Sequence, residues 1–218
     1  MKLYYAETLN PRKACAVAKY LNTHVDFVHV DLARGENRTP AFLALNPNGK
    51  VPVLDTGRGA LGESNAIMCH LARIAASDLW PGDERQVEVM RWLSWDSQHF
   101  TRHAGSLYFE HVIKPAIGLG HSDLSAVAKA EGFFKRFAAV LEAHLSGRRW
   151  LVGETLTIAD FAVAVTLPYA GPAHLPLDGF HEIQRWHAQL NALPAWRDPF
   201  PAAKSAASPA RGSSDAAA

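Results

Sequence analysis

Only two of the 218 residues are cysteines, Cys15 and Cys69, which is too few for a disulfide framework. Both lie within apolar patterns of helical spacing, as expected for buried free thiols in a reducing compartment. No run of about 18 apolar residues occurs, and the first ten residues contain no apolar signal core. We therefore expect a cytoplasmic protein that has no membrane partner.

An excess of charge of either sign is also missing. The chain has 22 lysines and arginines and 21 acidic residues, so its formal net charge is +1. The positive side chains are scattered, without the basic stripe and interleaved aromatic residues of a nucleic-acid-binding surface. We expect no nucleic-acid partner. What the chain does contain is apolar residues, 48% of the total, which suffice for one large or two small globular cores.

The first third of the chain alternates strand and helix patterns in the order β-α-β-α-β-β-α. The predicted elements are strands at 2–5, 28–32, 51–54 and 60–61, and helices at 11–21, from 40 onward and at 65–75. A β-α-β start of this kind forms a parallel strand pair. The last two strands are close enough in sequence to form a hairpin. We predict an α/β domain over residues 1–76.

The rest of the chain has helical periodicity. Residues 77–83, with Trp80-Pro81-Gly82, are interpreted as a linker, and residues 84–200 as an all-helical domain. The predicted helices are 84–112, 123–146, 158–171 and 180–193. Residues 201–218 are rich in alanine, serine and proline, and we expect a disordered tail.

One helix start in this second part carries a clear capping signal. Thr157 is a good N-cap, and Asp160 at the third helical position completes a capping box. We interpret Asp160 as structural and expect its replacement to cost about 0.5–2 kcal/mol of stability.

Four motifs, in this order along the chain, resemble those of the glutathione transferase superfamily. They are Thr8-Leu9-Asn10-Pro11-Arg12-Lys13, Asn46-Pro47-Asn48-Gly49-Lys50-Val51-Pro52-Val53-Leu54, Glu63-Ser64-Asn65-Ala66-Ile67 and Thr157-Ile158-Ala159-Asp160. The resemblance covers residues 1–200. It implies a thioredoxin-like N-terminal domain, an all-α C-terminal domain and a symmetric homodimer. The first motif resembles the Thr-x-Asn pattern of bacterial Nu-like enzymes, with Pro11 at a position where several relatives have serine or cysteine.

The resemblance places the glutathione thiol beside Thr8 and Asn10. From the residues alone, Asn10 and Pro11 are expected to be the N-cap and first residue of a helix, and a helix N-terminus attracts anions. Lowering a thiol pKa by two units requires about 2.7 kcal/mol. The helix dipole supplies up to about 2 kcal/mol, and one charge-assisted hydrogen bond about 1.5–3 kcal/mol. Thr8 and Asn10 are therefore the candidate catalytic residues, although a helix start alone would also explain Asn10-Pro11.

The peptide part of glutathione is assigned to the next two motifs. The resemblance implies a cis bond between Val51 and Pro52, which turns the Val51 backbone toward the ligand, where the peptide pairs with it as an added strand. Ser64 would bind the γ-glutamyl carboxylate through its hydroxyl and N–H, and Glu63 the ammonium group. The same two residues also make sense as a helix cap. Asn37 and Lys50 are weaker candidates near the glycyl end.

The second domain would supply the electrophile pocket. On the long predicted helix, spacings of three and four put a stripe of side chains on one face, which we expect to turn toward the first domain. The candidates are Trp95, His99, Arg102, His103 and Tyr108. An ordinary core or surface role is an equally good explanation for each of them. No metal site is predicted, because the histidines lack a carboxylate at matching spacing.

We expect an enzyme that activates the glutathione thiolate for attack on an electrophile, or on a disulfide as a glutathione-dependent reductase. Glutathione is then a co-substrate, and no metal is needed. The alternative is a non-catalytic binding or regulatory module of the same fold, which an intact set of glutathione residues disfavours. An isomerase or dehalogenase on this fold is a third alternative.

Overall fold

The computed structural model describes residues 1–201, so residues 202–218 of the predicted tail lie outside the described residues. In the first part, the strands are β1 (Lys2–Tyr5), β2 (Asp26–His29), β3 (Val53–Asp55) and β4 (Ala60–Leu61), and the helices are α1 (Leu9–Tyr20), α2 (Pro40–Leu45) and α3 (Ser64–Ile74). The strand order in the sheet is β2-β1-β3-β4. Strand β1 pairs in parallel with β2 and antiparallel with β3, which pairs antiparallel with β4.

Side chains of the central strands fill the core of this part. Leu3 in β1 lies opposite Phe27 on one side and Leu54 on the other, and both leucines are fully buried. Helix α3 covers the same core with Ile67 and Leu71. The predicted element order is confirmed, but β2 ends at His29, earlier than expected from the alternating pattern.

The second part is helical. It comprises α4 (Arg85–Trp95), α5 (Thr101–Tyr108), α6 (Lys114–Ala116), α7 (Leu124–Leu145), α8 (Ile158–Val163), α9 (His181–Asn191) and α10 (Pro194–Arg197). The predicted fold class, a thioredoxin-like domain followed by an all-helical one, is confirmed. Within residues 1–201, no helix is both long and apolar enough to span a membrane.

Two of the predicted helices differ in detail from the helices of the structure. The helix predicted at 84–112 contains two π-helical turns, at Asp96–Phe100 and Phe109–Ile113. The helix predicted at 158–171 tightens into a 3₁₀ helix at Ala164–Tyr169, which contains Pro168. Each π turn adds a residue to a helical turn and so rotates the following side chains out of the 3.6-residue pattern.

Helix α1 lies between the two parts of the chain. Its residues from Pro11 to Ala18 are all buried, and it packs on α3 in the first part and on α8 and α10 in the second. Most of the buried run consists of small side chains, which allow close approach of neighbouring elements. The N-terminus of α1 is therefore held by both parts of the chain.

Asp160 is the polar centre of the helical part. Its carboxylate accepts hydrogen bonds from the N–H of Leu151 and of Thr157, from the Thr157 hydroxyl and from Trp186 Nε1, at 2.9–3.2 Å. The residue is fully buried, and burial raises the pKa of its carboxyl group to about 6 against the effect of these bonds. The predicted capping box is confirmed. The role is larger than a cap, because Asp160 also joins α9 to the loop before α8.

Replacing Asp160 by alanine should lower the free energy of unfolding by about 3 kcal/mol or more, which exceeds the cost of losing a helix cap. The reason is that several buried donors lose their acceptor, each at about 1–3 kcal/mol. Urea unfolding of the variant measures the change. Asp178→Ala, at an exposed position, is the control and should stay near wild type. Equal stability of the two variants would contradict this role of Asp160.

Candidate functional site

The candidate site begins at the N-terminus of α1. Thr8 is extended (φ −128°, ψ 173°) and its carbonyl oxygen accepts the N–H of Arg12 at 3.1 Å, so Thr8 is the N-cap. The prediction of Asn10 as N-cap and Pro11 as first helical residue is wrong, because the helix starts two residues earlier. Pro11 is tolerated at the third position because the first-turn N–H groups have no partner within the helix.

This start leaves several donors at the helix end. The Thr8 side chain makes no capping hydrogen bond, and Leu9 and Asn10 occupy the first two helical positions, whose N–H groups point out of the helix. Together with the positive end of the helix dipole, these donors favour an anion. The two predicted catalytic residues, Thr8 and Asn10, thus lie at one helix end.

Asn10 meets the N-terminus of α3. The Ser64 hydroxyl donates to Asn10 Oδ1 at 3.3 Å, which joins residues 54 positions apart in the sequence. Ser64 is the first residue of α3 and is only 7% exposed, whereas Asn10 is exposed. Glu63, the N-cap, has a φ of +60°, a left-handed conformation that is uncommon for a residue other than glycine. Two helix N-termini and an acidic side chain therefore converge.

The loop from Asn46 to Pro52 forms the next part of the site. The peptide bond between Val51 and Pro52 is cis, as expected from the resemblance. Lys50 is exposed, and its carbonyl oxygen accepts Asn46 Nδ2 at 2.8 Å. Asn37 donates through Nδ2 to the Gly49 carbonyl oxygen at 2.7 Å. The Asn37 amide group thus stabilises the loop, while Lys50 is free to reach a ligand.

Gly49 is required by the shape of this loop. Its φ is +60°, and a Cβ atom there would lie 2.9 Å from Arg38 Nη1 and 3.1 Å from the Asn37 carbonyl oxygen. The Arg38 guanidinium is the end of a flexible side chain and could move aside, but 3.1 Å from a backbone oxygen is tighter than most real Cβ contacts. The loop that leads to Val51 is therefore packed tightly against the segment around Asn37.

Two buried charges near the site were missed by the sequence analysis. Lys13 is 3% exposed and Asp96, in the first π turn, is 1% exposed. Burial lowers the pKa of Lys13, while the charges of Asp96 and Glu63 act in the opposite direction. Burial raises the pKa of Asp96 to about 6, opposed by Lys13 and by a hydrogen bond of 2.6 Å from Thr101. The only sign of these buried charges in the sequence is Lys13 itself, a lysine within an apolar stretch of α1.

Three of the predicted electrophile-pocket residues do not face the first domain. The rings of His99 and His103 stack on Phe137 and Phe133 of α7, at centroid distances of 4.6 and 4.7 Å. Trp95 also packs edge-on against Phe137. The stripe does lie on one face, but the expected orientation is wrong because that face packs on α7.

The remaining two candidates differ from each other. Arg102 lies in a surface groove between α5 and α7, beside Lys129 and Glu110. Tyr108 is buried and packs edge-on against Tyr169, with ring centroids 5.0 Å apart. The Arg12 guanidinium lies 5.6 Å from the centre of the Tyr169 ring. Tyr108 is therefore connected to α1 through Tyr169 and Arg12, two residues that the sequence analysis did not select.

Comparison with known families supports the assignment of these motifs. The family model "Glutathione S-transferase, N-terminal domain" matches residues 1–73, and "Glutathione S-transferase, C-terminal domain" matches residues 103–194. The chain is 34% identical over 203 residues to glutathione S-transferase 3 of Zea mays, covering 88% of this chain and 90% of the maize protein.

Solved structures of similar proteins contain glutathione or its conjugates. Maize glutathione S-transferase I in complex with an atrazine–glutathione conjugate has a TM-score of 0.82 and 26% identity, covering 91% of this chain and 95% of that one. A glutathione transferase family member from Pseudomonas fluorescens, with two glutathione molecules bound, has a TM-score of 0.81 and 28% identity, covering 91% of both chains.

The substitution Gly49→Ala should destabilise the protein more than Gly57→Ala, by about 1 kcal/mol, which is the low end of the cost of overpacking. Both glycines have positive φ, which costs an alanine about 1–2 kcal/mol, but a Cβ at Gly57 would meet nothing within 4 Å. The difference between the two variants in urea unfolding isolates the steric clash. Glutathione affinity should fall in Gly49→Ala alone. Identical behaviour of both variants would contradict the proposed packing of the loop.

Proposed function

The chain belongs to the glutathione S-transferase family, and from that premise we propose that it activates the thiol of glutathione for attack on an electrophile. The observation that carries the proposal is the convergence of the α1 and α3 N-termini, where Asn10 and Ser64 are 3.3 Å apart. The N-terminus of α1 would bind the sulfur anion, and the N-terminus of α3 would bind the γ-glutamyl carboxylate.

Thr8 and Asn10 are proposed to stabilise the thiolate. The sulfur would accept hydrogen bonds from the free Thr8 hydroxyl, from the Asn10 amide group and from the first-turn N–H groups of α1. The dipole and one charge-assisted hydrogen bond together supply about 2–5 kcal/mol, which exceeds the roughly 2.7 kcal/mol needed for two pKa units. A general base is therefore unnecessary.

The peptide is proposed to lie between the loop and α3. Its backbone would pair with the N–H and C=O of Val51 in the manner of an added strand. Its γ-glutamyl end would reach Ser64 and Glu63, and Lys50 and Asn37 are nearest to the glycyl end. This direction puts the cysteine of glutathione beside α1.

Two reactions remain candidates for the activated sulfur. In conjugation, the thiolate forms a carbon–sulfur bond and the leaving group departs with its electron pair. In disulfide reduction, it attacks one sulfur of a disulfide, and a second glutathione completes the exchange to give glutathione disulfide. The Thr-x-Asn motif favours the second reaction and the Nu-like subtype, whereas two similar plant proteins, of Zea mays and Hyoscyamus muticus, are named glutathione S-transferases, which favours conjugation.

Replacing Thr8 or Asn10 by alanine should each lower kcat/KM at least tenfold, corresponding to 1.4 kcal/mol or more of lost transition-state stabilisation. Purified protein is assayed with glutathione against a chlorinated aromatic compound and against a hydroxyethyl mixed disulfide. Asn191→Ala, an exposed residue at the end of α9, is the matched control and should retain wild-type rates. Faster turnover of the chlorinated aromatic compound would indicate conjugation, and faster turnover of the mixed disulfide would indicate disulfide reduction.

The alternative of a non-catalytic module makes a different prediction in the same assay. Wild-type protein would then bind glutathione in calorimetry without accelerating either reaction. Unchanged rates in both the Thr8 and Asn10 variants would contradict the thiolate mechanism.

We also propose that the chain forms a homodimer through α3 and α4. Large apolar side chains are exposed on these two helices, Ile74 at 50%, Val87 at 72% and Met90 at 54%. Met90 also lines a groove with Asn65 at the start of α3, so an exposed apolar residue of α4 lies beside α3. Exposed apolar side chains on neighbouring elements are typical of an interface.

The substitution Met90→Glu should convert the dimer to a monomer, because it places a charge in the apolar interface. Light scattering after size-exclusion chromatography measures the mass. Leu124→Glu, at an equally apolar and 81% exposed site on α7, is the control and should leave the dimer intact. A monomeric wild type, or a dimeric Met90→Glu variant, would contradict this interface.

A further inference from the structure

The end of the helical part returns to the first domain. Residues 196–200, here called the C-terminal strap, comprise the end of α10 and the three residues that follow it. Two cations of α1 hold the strap, because Arg12 and Lys19 donate three hydrogen bonds of 2.6–2.7 Å to its carbonyl oxygens. Pro199 within the strap is buried. Hydrogen bonds from charged donors are stronger than neutral ones, so the strap follows a fixed path along α1.

The strap ends on Tyr5, the last residue of β1. The Phe200 ring lies nearly parallel to the Tyr5 ring, with centroids 5.8 Å apart and an interplanar angle of 14°. From β2, Phe27 and His29 meet the Tyr5 ring edge-on, at centroid distances of 6.1 and 5.5 Å. Tyr5 is only 6% exposed. A strand end in the first domain is thus covered by a residue near the other end of the chain.

Tyr5 leads directly into the loop that carries Thr8. The Tyr5 carbonyl oxygen accepts the N–H of Val30 at 2.8 Å, and the Ala6 carbonyl oxygen accepts the N–H of Thr8 at 2.7 Å. The second of these bonds closes a three-residue turn. Helix α1 begins immediately after Thr8. The position of the Thr8 side chain therefore depends on how firmly Tyr5 is held at the end of β1.

A second side-chain contact on the same loop is weaker than this stack. Glu7 Oε2 lies 3.0 Å from His29 Nε2, but the two side chains are 55% and 50% exposed. An exposed pair of this kind contributes little, because water and salt screen it. Tyr5 is nearly shielded from water, and aromatic pairs are stabilising beyond the area that they bury. The contact between Tyr5 and Phe200 is therefore the stronger of the two restraints.

We propose that Phe200 is a positioning residue for thiolate activation: by packing on Tyr5, it fixes the loop that presents the Thr8 hydroxyl to the glutathione sulfur. The inference rests on the proposed function and deepens it, since Thr8 remains the residue that contacts the sulfur. It gives the end of the helical part a role in the chemistry of the first domain.

The test measures the thiol pKa of bound glutathione through the ultraviolet absorbance of the thiolate. Phe200→Ala should raise this pKa by about half a unit or more, a threefold change in the ionisation equilibrium. Phe200→Tyr keeps the ring and should retain the wild-type thiol pKa. Phe133→Ala is the matched control, because it removes a comparable stack of Phe133 on His103, at 4.7 Å, away from β1. The control should leave the thiol pKa unchanged.

Two further measurements separate positioning from a general loss of structure. Affinity for S-methylglutathione, which has no ionisable thiol, should change by less than about threefold in Phe200→Ala, because the peptide is proposed to lie between α3 and the loop before Pro52. Circular dichroism checks that the variant is folded. If Phe200→Ala is unfolded, Phe200→Leu replaces it with the same expectation, since leucine keeps the apolar bulk and lacks the ring.

A double-mutant cycle identifies Thr8 as the residue through which Phe200 acts. In a Thr8→Ala background, adding Phe200→Ala should produce no further shift of the thiol pKa. Additive shifts, or a wild-type thiol pKa in a folded Phe200→Ala or Phe200→Leu variant, would overturn the inference alone. A wild-type protein whose bound glutathione titrates like free glutathione would overturn the proposed function and the inference with it.

Discussion

The packing of helix α1 between the two parts of the chain is the constraint on which the candidate site depends. Arg12 Nη2 donates to the Trp196 carbonyl oxygen at 2.7 Å, and Lys19 Nζ donates to the carbonyl oxygens of Asp198 and Phe200 at 2.7 and 2.6 Å. These bonds fix α1 against the end of the helical part. Because first-turn N–H groups are proposed to hold the sulfur, the direction of the helix determines where the anion binds.

The same packing makes the two cysteines of the chain poor candidates for a reactive sulfur. Burial raises the pKa of the Cys15 thiol to about 12 and that of Cys69 to about 11. A thiol at such a pKa is almost entirely protonated at neutral pH and is a poor nucleophile. Cys15 serves as one of the small side chains that allow α1 to approach its neighbours. A thiolate at the exposed N-terminus of α1 would meet the opposite environment, rich in donors.

Features that depend on local sequence were predictable, and features that depend on distant packing were not. The order of the first seven elements follows from periodicity and turn residues, and the capping box at Thr157 and Asp160 follows from spacing. The N-cap at Thr8 was missed because Asn10-Pro11 is itself a good helix start, and only the observed backbone shows that the helix begins earlier. The motif from Thr8 to Lys13 nevertheless contains both Thr8 and Asn10.

The orientation of the long helix shows more clearly where prediction from the sequence fails. A regular 3.6-residue pattern predicted Trp95, His99 and Arg102 on one face, and they do lie on the side of α7, but only the packed structure shows that this side faces α7 and not the first domain. The same helix contains a π turn at Asp96–Phe100. π turns have no simple sequence signature and are frequent near functional sites. This one is the position of Asp96, whose Oδ2 atom is buried without a hydrogen-bond partner within residues 1–201. The π turn thus places a carboxylate near Lys13 of α1.

The two halves of the candidate site are encoded in different ways. The residues proposed for glutathione lie in short continuous motifs, since a peptide backbone and a sulfur anion need helix ends and an unpaired strand, which local sequence specifies. On the proposed electrophile side, Tyr108 is connected to α1 through Tyr169 and Arg12, so that three distant segments meet. A contact built from three segments depends on how each of them packs, whereas the proposed thiolate site depends mainly on the end of one helix. We therefore expect substitutions in the packing of Tyr108 to alter the choice of electrophile more than the activation of the sulfur.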